Sequence, residues 1–113
     1  MDERLYITIL FDFYGDLLTE RQKEFFDMYY LNDLSLSEIG EPAGVTRQAV
    51  SDMLKRTNGH LMKYEAKLGF AAWHAKMMEC ADKLDAQLQA VREEIPVKAW
   101  KKIEKNLATF REL

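Results

Sequence analysis

Residues that staple, kink or interrupt a polypeptide are scarce in this chain, whose 113 residues include one Cys, two Pro and five Gly. The lone Cys80 excludes an internal disulfide, fits a reducing compartment, and within an apolar helical pattern reads as a small core hydrophobe. No window comes near the roughly 18 consecutive apolar residues of a membrane span. The opening MDERLYITIL has acidic residues where a secretory leader needs basic ones, so a cytoplasmic protein is expected. Alternating runs of strand length are missing too, which points to an all-α fold. Basic charge is short at the start. Residues 1–45 hold three Lys/Arg against ten Asp/Glu, a balance of −7; residues 46–70 hold five against two, +3; residues 71–113 hold eight against seven, +1. The overall −3 is not that of a dedicated, tight nucleic-acid binder, yet the clearly basic part begins at residue 46. No pair of carboxylates, nucleophile with its base, or glycine-rich phosphate loop stands out, so neither an enzyme nor a cofactor is expected. His60, His74 and Cys80, separated by fourteen and six residues, lack the spacing of a metal site.

What the chain does have is 48% apolar residues, ample for one core, and a segment of unusual information content at residues 35–56, SLSEIGEPAGVTRQAVSDMLKR. Ser35 and Glu38 form a capping box that opens a helix. Leu36 and Ile39 give that helix an apolar side, Gly40 allows close backbone approach, and Ala43-Gly44-Val45 reads as a turn with a positive φ at the glycine. Thr46 caps a second helix, with Ala49, Val50, Met53 and Leu54 on its apolar side and Arg47, Gln48, Ser51, Asp52, Lys55 and Arg56 on the other. This is the pattern of a helix-turn-helix, in which one side of the second helix is left free for reading. Pro42 removes an amide that would bond Glu38, so the first of the two helices should be short.

Around this motif the periodicity predicts helices throughout. Residues 3–14 carry Leu5, Ile9 and Phe13, with Tyr6 and Leu10 alongside, ending at Gly15-Asp16. Thr19 to Gln22 is a second capping box, opening a helix in which Phe25, Phe26, Tyr29 and Tyr30 line a core side rather than a base-stacking platform. Asn32-Asp33 reads as a turn. Thr57-Asn58-Gly59 is expected to interrupt the recognition helix, with a long helix resuming near His60. Phe70, Met77, Ala81, Leu84, Leu88, Val91 and Ile95 then occupy the two apolar positions of a heptad, His74 being the polar exception. Pro96 ends that helix, and Val97, Trp100, Ile103, Leu107 and Phe110 mark a last amphipathic one. The expected organisation is one compact unit of a helix-turn-helix lobe over residues 1–59 and a carboxy-terminal helical hairpin over residues 60–113, the hairpin built to pack on the lobe, on a second copy as a dimerisation element, or on both.

The run FDFYGDLLTERQKEFFDMYYLNDLSLSEIG, followed by VTRQAVSDMLKRT and KYEAKLGF, resembles the YlxM-like proteins, small bacterial helix-turn-helix proteins whose amino-terminal part is similar to region 4 of sigma factors. The resemblance covers about residues 5–70, and residues 71–113 share only helical character. It implies a DNA-binding regulator, encoded beside signal recognition particle genes, that takes part in that pathway through the particle's GTPase protein or its RNA.

In the recognition helix, Arg47 and Gln48 occupy the first turn, where side chains of this motif meet base edges, Arg suiting guanine and Gln adenine. Ser51, Lys55 and Arg56 would hold phosphates, and Thr46 at the start of the helix is counted among the nucleic-acid-binding residues. Asp52 near the same face would repel them, and so few basic groups on one copy predict weak, salt-sensitive binding. Three readings remain open: a nucleic-acid-binding accessory factor of the signal recognition particle pathway acting as a homodimer, a sigma-like regulator reading promoter DNA, and a protein-only adaptor using the acidic lobe and the heptad seam.

Overall fold

A computed structural model of the protein describes residues 2–113, which form six α-helices and no strand. These are α1 (Glu3–Tyr14), α2 (Glu20–Phe26), α3 (Leu36–Ala43), α4 (Arg47–Leu68), α5 (Phe70–Ala90) and α6 (Val97–Arg111). They divide between a first compact unit that ends at Ala71 and a second, Ala72–Leu113.

Helix α1 starts where the Asp2 carboxylate accepts the Arg4 N–H at 3.2 Å, and its buried stripe is Ile7, Leu10 and Tyr14. The expected stripe was different, for Leu5 and Phe13 are exposed. Apolar residues surround most of this helix, so spacing alone offers several stripes, and the neighbours Phe26 and Leu61 select one. Both capping boxes are formed, Thr19 with Gln22 and Ser35 with Glu38. After Phe26 the chain makes a π-turn over Asp27–Leu31, which leaves Phe25 and Phe26 buried and Tyr29 and Tyr30 half-buried. Arg4 closes this turn: its guanidinium donates to the carbonyls of Tyr29 (3.2 Å) and Tyr30 (3.3 Å), pairs with Asp33 (3.0 Å), and lies over both rings. Carbonyls that a helix end would leave orphaned are thereby satisfied. Asp33 follows at φ 54, in the expected turn.

Helix α4 runs unbroken for 22 residues, which corrects the expected interruption at Thr57-Asn58-Gly59. Thr57 is fully buried and its hydroxyl donates to the Met53 carbonyl at 2.9 Å, while the Asn58 amide donates to the Tyr30 hydroxyl at 2.8 Å. The burial of Thr57 and the Asn58–Tyr30 bond thus outweigh a weak local propensity. The break comes instead at Gly69, φ 64, whose N–H bonds the Glu65 carbonyl at 2.8 Å. There the Glu65 carboxylate accepts the Ala71 N–H (3.0 Å), and the Tyr14 hydroxyl donates to Glu65 while accepting the Phe70 N–H (3.1 Å), so two side chains cap the start of α5.

Helix α4 is the spine of the first unit. Val50 and Leu54 pack with Phe25 and Ile39 at one end, and Leu61 packs with Leu10, Tyr14 and Phe26 further along. Each such aliphatic side chain contributes roughly 1.5–3 kcal/mol by burial. Phe11 stacks on Phe26 with ring centroids 4.2 Å apart.

In the second unit α5 stops at Ala90, short of the expected Ile95, because the chain turns through Arg92–Glu94 and Ile95 is extended ahead of Pro96. Val91 and Ile95 therefore lie outside the helix that carries the heptad seam. Arg111 near the end of α6 pairs with Asp82 (2.8 Å) and Asp85 (3.5 Å) of α5, so α6 runs back along α5. Ala81 and Trp100 are buried, but Leu84 is exposed, and an apolar furrow lined by Trp73, Met77, Leu84, Leu88, Leu107 and Phe110 stays open. Cys80 is exposed at its edge rather than buried in a core.

Candidate nucleic-acid interface

The interface begins with the way α3 and α4 are locked together. The Gly44 N–H bonds the Glu41 carbonyl (3.2 Å) and the Val45 N–H bonds the Gly40 carbonyl (3.0 Å), with Gly44 left-handed at φ 72. These two bonds constitute a Schellman motif, which stops α3 within one residue of Pro42. Pro42 sits in the last turn of α3, an eight-residue helix, so its missing amide shortens the helix without reshaping the turn. A Cβ at Gly40 would lie 2.6 Å from the Val45 carbonyl oxygen, which is why only glycine permits this approach. Thr46 then accepts the Ala49 N–H at 3.0 Å and starts α4.

Val50, fully buried, and Leu54 point inward, with Ala43, Val45 and Met53 packed partly against them. Ala49, expected on that side, is exposed. Opposite, Thr46, Arg47, Gln48, Lys55 and Arg56 are exposed and Ser51 is half-buried. Thr46, Arg47, Gln48 and Ser51 line one surface depression together with Leu36 of α3; Lys55 and Arg56 lie further along the helix, outside it. In the sequence Leu36 reads only as an apolar helix position, since nothing in its spacing shows that it lines a depression with polar residues of α4.

The Gln48 amide donates to the Asp52 carboxylate at 3.0 Å. Asp52 therefore orients Gln48, and its charge is directed at that amide rather than left isolated on the face. None of the ion pairs among the described residues involves Arg47, Lys55 or Arg56, whereas Arg4, Lys23, Lys83 and Arg111 are paired. Glu38, which closes the capping box at the start of α3, is held below the usual carboxylate range by the Ser35 backbone N–H and hydroxyl. His60 contacts Gln22 at 3.3 Å, and among the described residues no group of three or more His, Cys, Asp or Glu could hold a metal ion. No helix among them is long and apolar enough to cross a membrane.

A short capped helix, a left-handed glycine turn and a second helix with its polar face outward define a helix-turn-helix protein. Over residues 1–101 the chain matches the family described as "Putative helix-turn-helix protein, YlxM / p13 like", and it belongs to that family. The match extends well past the residue 70 at which the recognisable sequence phrases stop. Relatives include the UPF0122 proteins of Caldanaerobacter subterraneus subsp. tengcongensis, 51% identical over 83 residues (74% of this chain and 71% of the relative), and of Thermoanaerobacter pseudethanolicus, 47% identical over 92 residues (81% and 79%). A third, from Halalkalibacterium halodurans, is 44% identical over 97 residues, 84% of this chain and 89% of the relative.

Proposed function

We propose that this protein is a cytoplasmic regulatory or accessory factor that binds nucleic acid through the outer face of α4, with Arg47 and Gln48 meeting base edges and Thr46, Ser51, Lys55 and Arg56 meeting phosphates. The observation that carries the reading is the set of unpaired cations, Arg47, Lys55 and Arg56, exposed on one helix whose opposite side is locked into the core. Phosphate contacts supply affinity and base contacts supply choice, so binding should fall steeply with salt. The proposed setting is the signal recognition particle pathway, with the particle's RNA and GTPase protein as partners; its support is the family resemblance.

The protein would act as a homodimer joined through the furrow of the second unit. Among the apolar residues of that unit, Ala81 and Trp100 are buried while Trp73 and Leu84 are exposed. A helical hairpin this small lacks half a core, and a second copy laid on the furrow would complete a four-helix bundle. Its near-neutral charge, +1 over residues 71–113, does not oppose self-association. The test is a gel shift with the particle's RNA and with promoter DNA, together with pull-down of the GTPase. A shift or capture supports the proposal, and a negative result in every arm removes it. A sequence-preferring shift with DNA alone would favour the sigma-like reading.

A further inference from the structure

Helix α6 carries Lys98, Lys101, Lys102 and Lys105, all exposed. Their spacing of i, i+3, i+4 and i+7 places them on one side of the helix, opposite Trp100, Ile103, Leu107 and Phe110. Over Val97–Arg111 the balance is five Lys/Arg against one acidic residue, or +4. The segment total of +1 hides this, because the acids of the second unit lie mainly on α5 and in the turn before α6.

Local carboxylates leave the four lysines unneutralised. Glu104 accepts the Trp100 indole N–H at 3.0 Å, Asp82 and Asp85 are taken by Arg111, and Glu79 pairs with Lys83 at 3.1 Å. Glu93, Glu94 and Glu112 flank the helix at its two ends. None of the ion pairs among the described residues includes Lys98, Lys101, Lys102 or Lys105.

We infer that this lysine face is a second polyanion-binding site, for the phosphodiester backbone of a nucleic acid, contacted without regard to base sequence. Protein interfaces are depleted in lysine and depend on buried aromatic or aliphatic anchors, and the exposed residues beside these lysines, Ala99 and Thr109, offer none. A membrane-surface helix must sink its whole apolar side into lipid, whereas in α6 Trp100 is buried and Ile103, Leu107 and Phe110 share one furrow with α5. What remains is a row of compact point charges, which suits phosphate oxygens. From Lys98 to Lys105 the helix rises roughly 10 Å. Duplex DNA presents about three phosphate charges per strand over that length, about six on the two strands together, a density comparable with that of the four lysines.

None of the residues in this inference belongs to the helix-turn-helix, so it goes beyond the function proposed above and can fail separately from it. The experiment uses the full chain and a variant with Lys98→Gln, Lys101→Gln, Lys102→Gln and Lys105→Gln, its fold checked by circular dichroism. Binding to a labelled DNA duplex, to a duplex of unrelated sequence and to an RNA hairpin is followed by anisotropy across a salt series. The variant should lose about 3.6 from the slope of log K against log salt for either DNA duplex, so its deficit against the parent should widen by roughly a hundredfold as salt falls from about 200 to about 50 mM. The RNA arm shows whether the site accepts both backbones. An unchanged slope in a parent that binds overturns the lysine site alone. A lost slope in the lysine variant, with no effect of Gln48→Ala, upholds it and discards base reading by α4. A parent that binds none of the three probes, or that binds poly-glutamate or anionic vesicles instead, overturns it as well.

Discussion

Glycines at three positions act in three different ways. Gly40 is needed for space: Gly40→Ala places a methyl 2.6 Å from the Val45 carbonyl and 3.3 Å from a Val50 methyl, and the helix pair must part to admit it. A loss of about 2 kcal/mol or more in urea unfolding is expected. Gly44 is needed for its left-handed φ of 72. Gly59 is needed for neither, since it lies inside α4 with no atom within 4 Å of an added Cβ. Gly59→Ala should therefore stabilise the protein by about 0.5–1 kcal/mol, whereas an interrupted helix there would show no gain. Residue types alone read the first two correctly and the third wrongly, because what holds this stretch in the helix, the burial of Thr57 and the bond from Asn58 to Tyr30, depends on residues too distant in sequence to signal it.

Tyr14 offers a second test at this scale. Burial, reinforced by its bond to Glu65, raises the phenol above its ordinary value. The folded state then holds the proton more tightly than the unfolded chain, so this contribution is fully present below the unfolded phenol value and is lost as pH rises through the folded one. Tyr14→Phe should flatten the alkaline limb of a stability-against-pH curve. It should also cost about 1–3 kcal/mol at neutral pH by leaving the Phe70 N–H without its acceptor.

Among the elements, α3 is legible almost to the residue, because its boundaries depend on local chemistry: Ser35 with Glu38 at one end, Gly44 at the other. The depressed Glu38 value implies stability that is present above the unfolded glutamate range and lost as pH falls through the folded one. Ser35→Ala should lower stability by about 1 kcal/mol and only weaken that acid-side dependence, because the Ser35 backbone N–H still holds the carboxylate, whereas Glu38→Gln should remove it, as thermal melts over an acidic pH series would show. Helices α1 and α5 are legible in type but not in facing or extent. An all-round apolar α1 does not reveal which stripe is buried until Leu61 and Phe26 are in place. The heptad seam predicted a longer α5, since the turn at Arg92–Glu94 carries no glycine and only Pro96 behind it announces a stop. The lysine row of α6 is legible as KAWKKIEK, but the charge balance of the whole segment conceals it, since the row emerges only on one face of the helix.

At the level of the whole molecule, charge is segregated along the chain, −7 over residues 1–45 against +3 over residues 46–70. An acidic lobe discourages unspecific adhesion to nucleic acid, so affinity must come from the few unpaired cations or from two copies acting together. If the furrow of the second unit joins two copies, Leu84→Asp should convert a dimer to a monomer in sedimentation and remove the concentration dependence of the melting temperature. Weaker nucleic-acid binding should follow although no cation has been touched.

The most direct test of the central claim, that α4 presents Arg47 and Gln48 outward to read bases, is an anisotropy titration of the wild-type chain and the Arg47→Ala/Gln48→Ala variant against DNA duplexes and RNA hairpins of several sequences at fixed salt. The account predicts that the wild type prefers some sequences over others and that the variant binds its best target about tenfold or more weaker, with the preference erased. Equal affinity of the two proteins for every probe would contradict it.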